Sequence, residues 1–158
     1  MNFTLQPFTP DQQDFLFKLY ANTRQEEVSS FGWPAAQQET FLRMQFNAQQ
    51  NWYAMAYSGA DHQIIVVDGQ PIGRILVFRE LDARRLVDIA VLSDYRSRGI
   101  GTQLLRDLLD KSDREGIPVR LQVLKSNRAR RLYQRLGFVV ISDDGMYYQM
   151  ERRADASS

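Results

Sequence analysis

Arg96-Ser97-Arg98-Gly99-Ile100-Gly101 stands between an apolar run suited to a strand, Leu86-Val87-Asp88-Ile89-Ala90-Val91-Leu92, and a helix-like run from Thr102 to Leu109. That order is suited to holding a diphosphate. Glycines at 99 and 101 leave no Cβ to keep an anion off the backbone. The N–H groups of a helix's first turn converge at such a bend, and the helix dipole adds positive potential. Arg96 and Arg98 add full charges.

Two commoner nucleotide motifs do not match. The dinucleotide fingerprint G-x-G-x-x-G needs a third glycine where Leu104 stands, and no acidic residue ends a strand at the required distance beyond it. The P-loop pattern G-x-x-x-x-G-K-[ST] does not occur, so no lysine or hydroxyl is placed for a triphosphate and its magnesium.

A second pattern lies downstream. Val119-Arg-Leu-Gln-Val123 alternates at period two like a strand. The segment from Ser126 to Phe138 then reads as a short helix. Asn127 suits its N-cap, Leu132 and Leu136 share a face, and Gly137 suits the left-handed residue that ends it.

Arg96-x-x-Gly99-x-Gly101, followed by Asn127-x-Ala129-x-x-Leu132-Tyr133-x-x-Leu136-Gly137-Phe138, resembles the GNAT acyltransferase superfamily. These enzymes transfer an acyl group, usually acetyl, from acyl-CoA to an amine. The stretch Tyr20 to Glu27, with Trp33 and Phe41 to Phe46, looks similar to a bacterial branch of that superfamily.

The resemblance implies acetyl-CoA as acyl donor, with no metal, and a ternary complex in which the amine attacks the thioester directly. Its pyrophosphate would lie on the amides of Arg98, Gly99, Ile100, Gly101 and Thr102, with Arg96 and Ser97 closing the turn. Pantetheine would run beside Ile89, Ala90 and Val91, and the Val91 N–H would face the thioester oxygen. Asn127 would serve as a pantetheine contact, a role that competes with capping. Tyr133 matches the superfamily's tyrosine and would act as acid toward the departing thiolate. The base is less clearly marked. Carboxylates that members place on the fourth and fifth strands are here Val87 and Gln122, which cannot take a proton. Asp88 is the nearest ionisable residue, although strand alternation turns it to the other side. Glu26, Glu27 and Glu80, or a relayed water, are the alternatives.

The elements that must position these groups follow from periodicity. Strand 2–6 and helix 10–22 come first, then a helix over 34–50 with Phe41, Met44 and Ala48 on one face. A hairpin, 62–67 and 71–79, turns at Asp68-Gly69. Strand 84–92, helix 100–115, strand 118–124 and helix 127–136 follow, and a last hairpin turns at Asp144-Gly145. The fold class is α/β (α+β), a mixed and mostly antiparallel sheet with helices on both faces. The resemblance adds a splayed pair of parallel strands.

One domain over residues 1–153 is expected, with a disordered tail over 154–158. The segment joining the first two helices would wall the acceptor side, where Arg24, Glu27, Trp33 and Tyr53 suit a small amine carrying a carboxylate or apolar group. Twenty Lys and Arg against nineteen Asp and Glu leave a formal charge of +1, so no global field recommends nucleic acid or membrane as partner. Arg128, Arg130, Arg131 and Arg135 form a basic helix face, but no aromatics interleave with them for base stacking. The absence of cysteine excludes disulfides, thiolate metal sites and a cysteine acyl-enzyme, and the single His62 excludes a multi-histidine metal site. A cytoplasmic enzyme is the expectation, with a homodimer open. A non-catalytic acyl-CoA sensor and a basic-patch module are the competing readings.

Overall fold

The computed structural model describes residues 2–155. Seven strands lie in the order β1-β2-β3-β4-β5-β7-β6, where β1 is Thr4–Pro7, β2 Asp61–Val67, β3 Gln70–Arg79, β4 Arg84–Val91, β5 Val119–Leu124, β6 Val139–Asp143 and β7 Tyr147–Arg152. The helices are α1 (Gln13–Ser29), α2 (Ala35–Ala56), α3 (Ile100–Glu115) and α4 (Ala129–Arg135). The sheet is mixed and mostly antiparallel, with β4 and β5 parallel.

The chain forms two compact units. One holds the residues up to Ile75 together with Ala90–Arg98; the other holds Leu76–Ile89 and the chain from Gly99 onward. In the first, Leu16 of α1, Phe46 of α2 and Ile64 and Val66 of β2 bury one cluster, flanked by Phe8, Phe15, Phe17 and Tyr20. The β2–β3 turn matches expectation: Asp68 and Gly69 both take positive φ, +50° and +77°, as a two-residue hairpin turn of this hand requires. β3 approaches the end of β4 so closely that a Cβ on Gly73 would fall 2.3 Å from the Ala90 carbonyl oxygen. Only glycine is accommodated there.

In the second unit, α3 buries Ile100, Leu104, Leu105, Leu108, Leu109 and Ser112, one stripe at helical spacing. It ends where expected: Gly116 is left-handed at φ +71°, and the Ile117 N–H reaches back to the Ser112 carbonyl. Arg84, 8% exposed, donates to Glu115 Oε1 at 2.6 Å and to Ser112 Oγ at 3.3 Å, which satisfies its buried charge. Gly137, at φ +97°, closes α4.

Two helix ends are corrected. The first helix runs to Ser29, so Arg24, Glu26 and Glu27 are helical and not in a connecting loop. The second runs to Ala56, and it buries Leu42 and Phe46; Met44 and Ala48, which periodicity put on one face with Phe41, are exposed. Residues 156–158 of the expected tail lie outside the described residues, and the Asp155 N–H donates to Asp113 Oδ1 at 2.9 Å.

Candidate functional site

β4 carries the chain to the turn. The Leu92 N–H donates to the Ile72 carbonyl of β3 at 2.8 Å, whereas the Arg84 N–H, at the start of the same strand, donates to the Pro118 carbonyl before β5 at 3.0 Å. The Ala90 carbonyl lies close against Gly73 of β3, and the Val91 carbonyl accepts from Arg96 Nε. Registered pairing of β4 with β5 covers Arg84–Leu86 against Val119–Leu121; both strands run further, β5 to Leu124.

After a 3-10 turn at Ser93–Tyr95, Arg96 is extended, Ser97 takes φ +61° and Gly99 takes φ +82°. Both left-handed residues fall where the chain bends into α3. α3 begins at once, and its first intrahelical bond is Gln103 N–H to the Gly99 carbonyl at 3.0 Å. The amides of Ile100, Gly101 and Thr102 therefore precede the helical ladder. No side chain caps this helix start, and no acidic residue lies in its first turn.

Gly101 is more telling than Gly99. Its φ is not positive, so the backbone does not require glycine, and a Cβ there would meet no atom within 4 Å. Glycine at the second position of the helix leaves the first-turn amides open to approach from outside. Ile100 contributes only backbone, because its side chain is buried at 2% exposure, while Thr102 is half-buried.

Asn22 of α1, which sequence reading missed, holds the turn that leads toward α3. Its Oδ1 accepts the Ser93 N–H at 2.8 Å and Arg96 Nη2 at 3.4 Å, and its Nδ2 donates to Ser93 Oγ at 3.2 Å. Arg96 Nε also donates to the Val91 carbonyl at 3.1 Å. Arg96 is thus pinned beside the strand end, whereas the Arg98 guanidinium rests 5.5 Å from the centre of the Tyr95 ring. A lone asparagine 71 residues before Ser93 gives no sequence signal of this contact.

Tyr133 is buried, 7% exposed, with its ring edge-on to Phe138 at 5.7 Å. Burial, and then the charge of Asp88, push its phenol up to about 12. The two residues singled out for proton chemistry therefore feel each other. The N-cap of α4 is Arg128 and not Asn127, and no side chain caps it; Asn127 Oδ1 accepts the Ala129 N–H at 2.9 Å from one residue further upstream. Gln122 Oε1 is taken by Gln149 of β7 at 2.8 Å. Among the alternative bases, Glu80 is paired with Arg85 at 3.1 Å, and Glu26 and Glu27 are exposed on α1.

The raised phenol has a consequence for stability. An unfolded tyrosine ionises near pH 10, the folded one near 12, so between these values the unfolded chain sheds its proton first and stability falls as pH rises. Two units correspond to roughly 2–3 kcal/mol. Urea unfolding at pH 9, 10 and 11 should show a shallower alkaline decline for Tyr133→Phe than for wild type; parallel declines would contradict the burial of this group.

The four acceptor-side residues do not form one cluster. Arg24 lies over the Tyr20 ring at 4.9 Å, and Glu27 is exposed on the same helix. Trp33 packs on Phe31 and Phe41 at 4.9 and 5.2 Å, near the start of α2. Tyr53 stands beside Tyr57 and the buried Arg74, whose guanidinium also reaches Gln49 at 3.2 Å. From Phe41 to Tyr53 the helix rises about 18 Å, which separates the two aromatic groups.

The order of elements is a strand, a turn with two left-handed residues, a helix without a side-chain cap, a second strand and a tyrosine-bearing helix. Residues 60–140 match the family model "Acetyltransferase (GNAT) domain", and the chain belongs to that family. The chain is 33% identical over 85 residues to the [ribosomal protein bS18]-alanine N-acetyltransferase of Haemophilus influenzae, a match that covers 53% of this chain and 58% of that protein. The chain thus spans little more than half the length of that relative. Among solved structures, the PaiA N-acetyltransferase of Thermoplasma acidophilum, in complex with coenzyme A, superposes with TM-score 0.73 at 18% identity, covering 97% of this chain and 99% of that one. The ribosomal-protein-S18-alanine N-acetyltransferase of Escherichia coli does so with TM-score 0.65 at 20% identity, covering 99% and 97%. At these identities the superpositions establish the fold. Among the described residues no helix is long and apolar enough to cross a membrane.

Proposed function

We propose that the chain transfers an acetyl group from acetyl-CoA to a primary amine by direct attack within a ternary complex. The observation that carries this reading is Gly101, a glycine that neither its backbone nor its neighbours require, at the uncapped start of α3. The amides from Gly99 to Thr102 hold the diphosphate, with Arg96 and Arg98 as fixed charges. Acetyl-CoA supplies an electrophilic thioester carbonyl. The Val91 N–H, at the end of β4, donates to the carbonyl oxygen as charge grows there.

Tyr133 acts on the sulfur as a hydrogen-bond donor. A phenol near 12 is a weaker acid than a thiol near 8.5, so full transfer from it would run uphill; a hydrogen bond to the departing thiolate lowers the barrier without that cost. Asp88, whose charge reaches Tyr133, supports the reading of a carboxylate that receives the amine's proton.

The acceptor is an amine that Arg24, Glu27, Trp33 or Tyr53 helps to orient. A small amine bearing a carboxylate suits Arg24; the bS18-alanine N-acetyltransferase relative favours, as a second reading, the α-amine of a protein N-terminus. Thiol release should be followed with amino acids, polyamines, aminoglycosides and alanine-initiated peptides. Release above background with one class identifies the acceptor. Binding of acetyl-CoA without release for any of them would replace the enzyme by a sensor.

Loss of the Asn22 pin should act on the donor alone. Asn22→Ala frees Arg96 to rotate away from the strand end, and the KM for acetyl-CoA should rise roughly 3- to 10-fold with kcat little changed. Equal loss in both parameters, measured by steady-state thiol release, would show that Asn22 does more than position Arg96.

A further inference from the structure

The face of α2 that carries Met44 and Ala48 is largely exposed. Leu42 and Phe46 are the buried pair. Met44 follows Leu42 by two residues, which turns it about 200° around the axis. Met44 is 63% exposed, Trp52 58% and Met55 78%, with exposed Ala48 between them. Phe41, half-buried against Phe31 and Trp33, continues the same stripe. α2 is thus apolar on two faces, of which the protomer uses one.

The order of residues on the bare face is symmetric. From Phe41 to Met44, Ala48, Trp52 and Met55 the steps are three, four, four and three. A twofold axis through Ala48 would set Met44 against Trp52 of a second copy, Phe41 against Met55, and alanine against alanine, where a small side chain lets the helices approach closely. A thioether against an indole and against a phenyl ring is a favourable pairing on both sides.

Charge fits the same arrangement. From Met44 through Ala60 the chain contains no Asp, Glu, Lys, Arg or His. The nearest charges, Arg43 and Glu39, pair with each other at 3.4 Å, and Arg43 also lies over Phe17 at 3.9 Å. The twofold would place them opposite Tyr53 and Tyr57, so no like charges meet. Interface centres are depleted in charge and enriched in aromatics and methionine. A charged partner would find nothing to pair with on this face.

We propose that this face of α2 is the contact of a homodimer, formed by two antiparallel copies of the helix crossing at Ala48. Light scattering over roughly 1–200 µM should show a species of twice the 18.4 kDa chain mass. Ala48→Glu, which sets two carboxylates face to face on the axis, should weaken association on the order of 100-fold. Trp52→Glu should do so at a second position. Both sites are exposed, and circular dichroism verifies that each variant keeps its helices. Because the chain contains no cysteine, Ala48→Cys should cross-link the dimer through one disulfide under mild oxidation. A wild type that stays monomeric throughout this range, a dimer unaffected by either glutamate, or a dimer that Ala48→Cys does not cross-link would overturn the proposal.

Discussion

Gly101→Glu should abolish acetyl-CoA binding in a protein that is as stable as wild type or more so. A side chain at this position meets open space and φ is not left-handed, so replacement adds no strain. A carboxylate in the first turn also suits the helix dipole, by about 0.3–1 kcal/mol. The same carboxylate occupies the place of the diphosphate and repels it. Affinity should therefore fall roughly 100-fold or more while the melting temperature holds or rises. Gly99 is a poorer probe, because its φ of +82° makes any side chain strained and confuses lost binding with lost structure. Titration calorimetry beside a thermal melt distinguishes the cases; wild-type affinity in Gly101→Glu would remove the diphosphate from this turn.

Tyr133→Phe should reduce kcat roughly 10²-fold or more and leave the acetyl-CoA KM nearly unchanged. The ring keeps its packing on Phe138, so only the hydroxyl is lost. Because burial and Asp88 hold the phenol near 12, wild-type activity should show no alkaline limb from this group below about pH 11. Steady-state thiol release with the best acceptor tests both statements. A wild-type kcat in the phenylalanine variant would reduce Tyr133 to a core residue.

The donor side was legible in sequence because its signals are local. The turn at 96–101, helix 100–115, the Asp68-Gly69 hairpin and the glycine that ends α4 each depend on residues within a few positions of one another. α1 and α2 outran their expected ends for a related reason. No glycine or proline interrupts Gln13–Ser29 or Ala35–Ala56, so nothing local marks a stop. Periodicity could not choose between the two apolar faces of α2, because Leu42 and Phe46 repeat at the same interval as Met44, Ala48 and Trp52. The choice depends on which face β2 and α1 meet, which is a tertiary fact. The Asn22 contact and the close approach of Ala90 to β3 were hidden likewise: each joins segments apart in sequence, and only Gly73 marks the second. The acceptor residues were chosen as one segment; α2's length spreads them apart.

The central claim is that the amides at the start of α3 seat the acyl donor's diphosphate. It is tested most directly by following backbone amide resonances while coenzyme A is added to ¹⁵N-labelled protein. The largest shifts should fall on Arg98, Gly99, Ile100, Gly101 and Thr102, with smaller ones at Ile89 and Val91 of β4. Saturation that leaves these amides in place and moves others, or no change at millimolar coenzyme A, would contradict it.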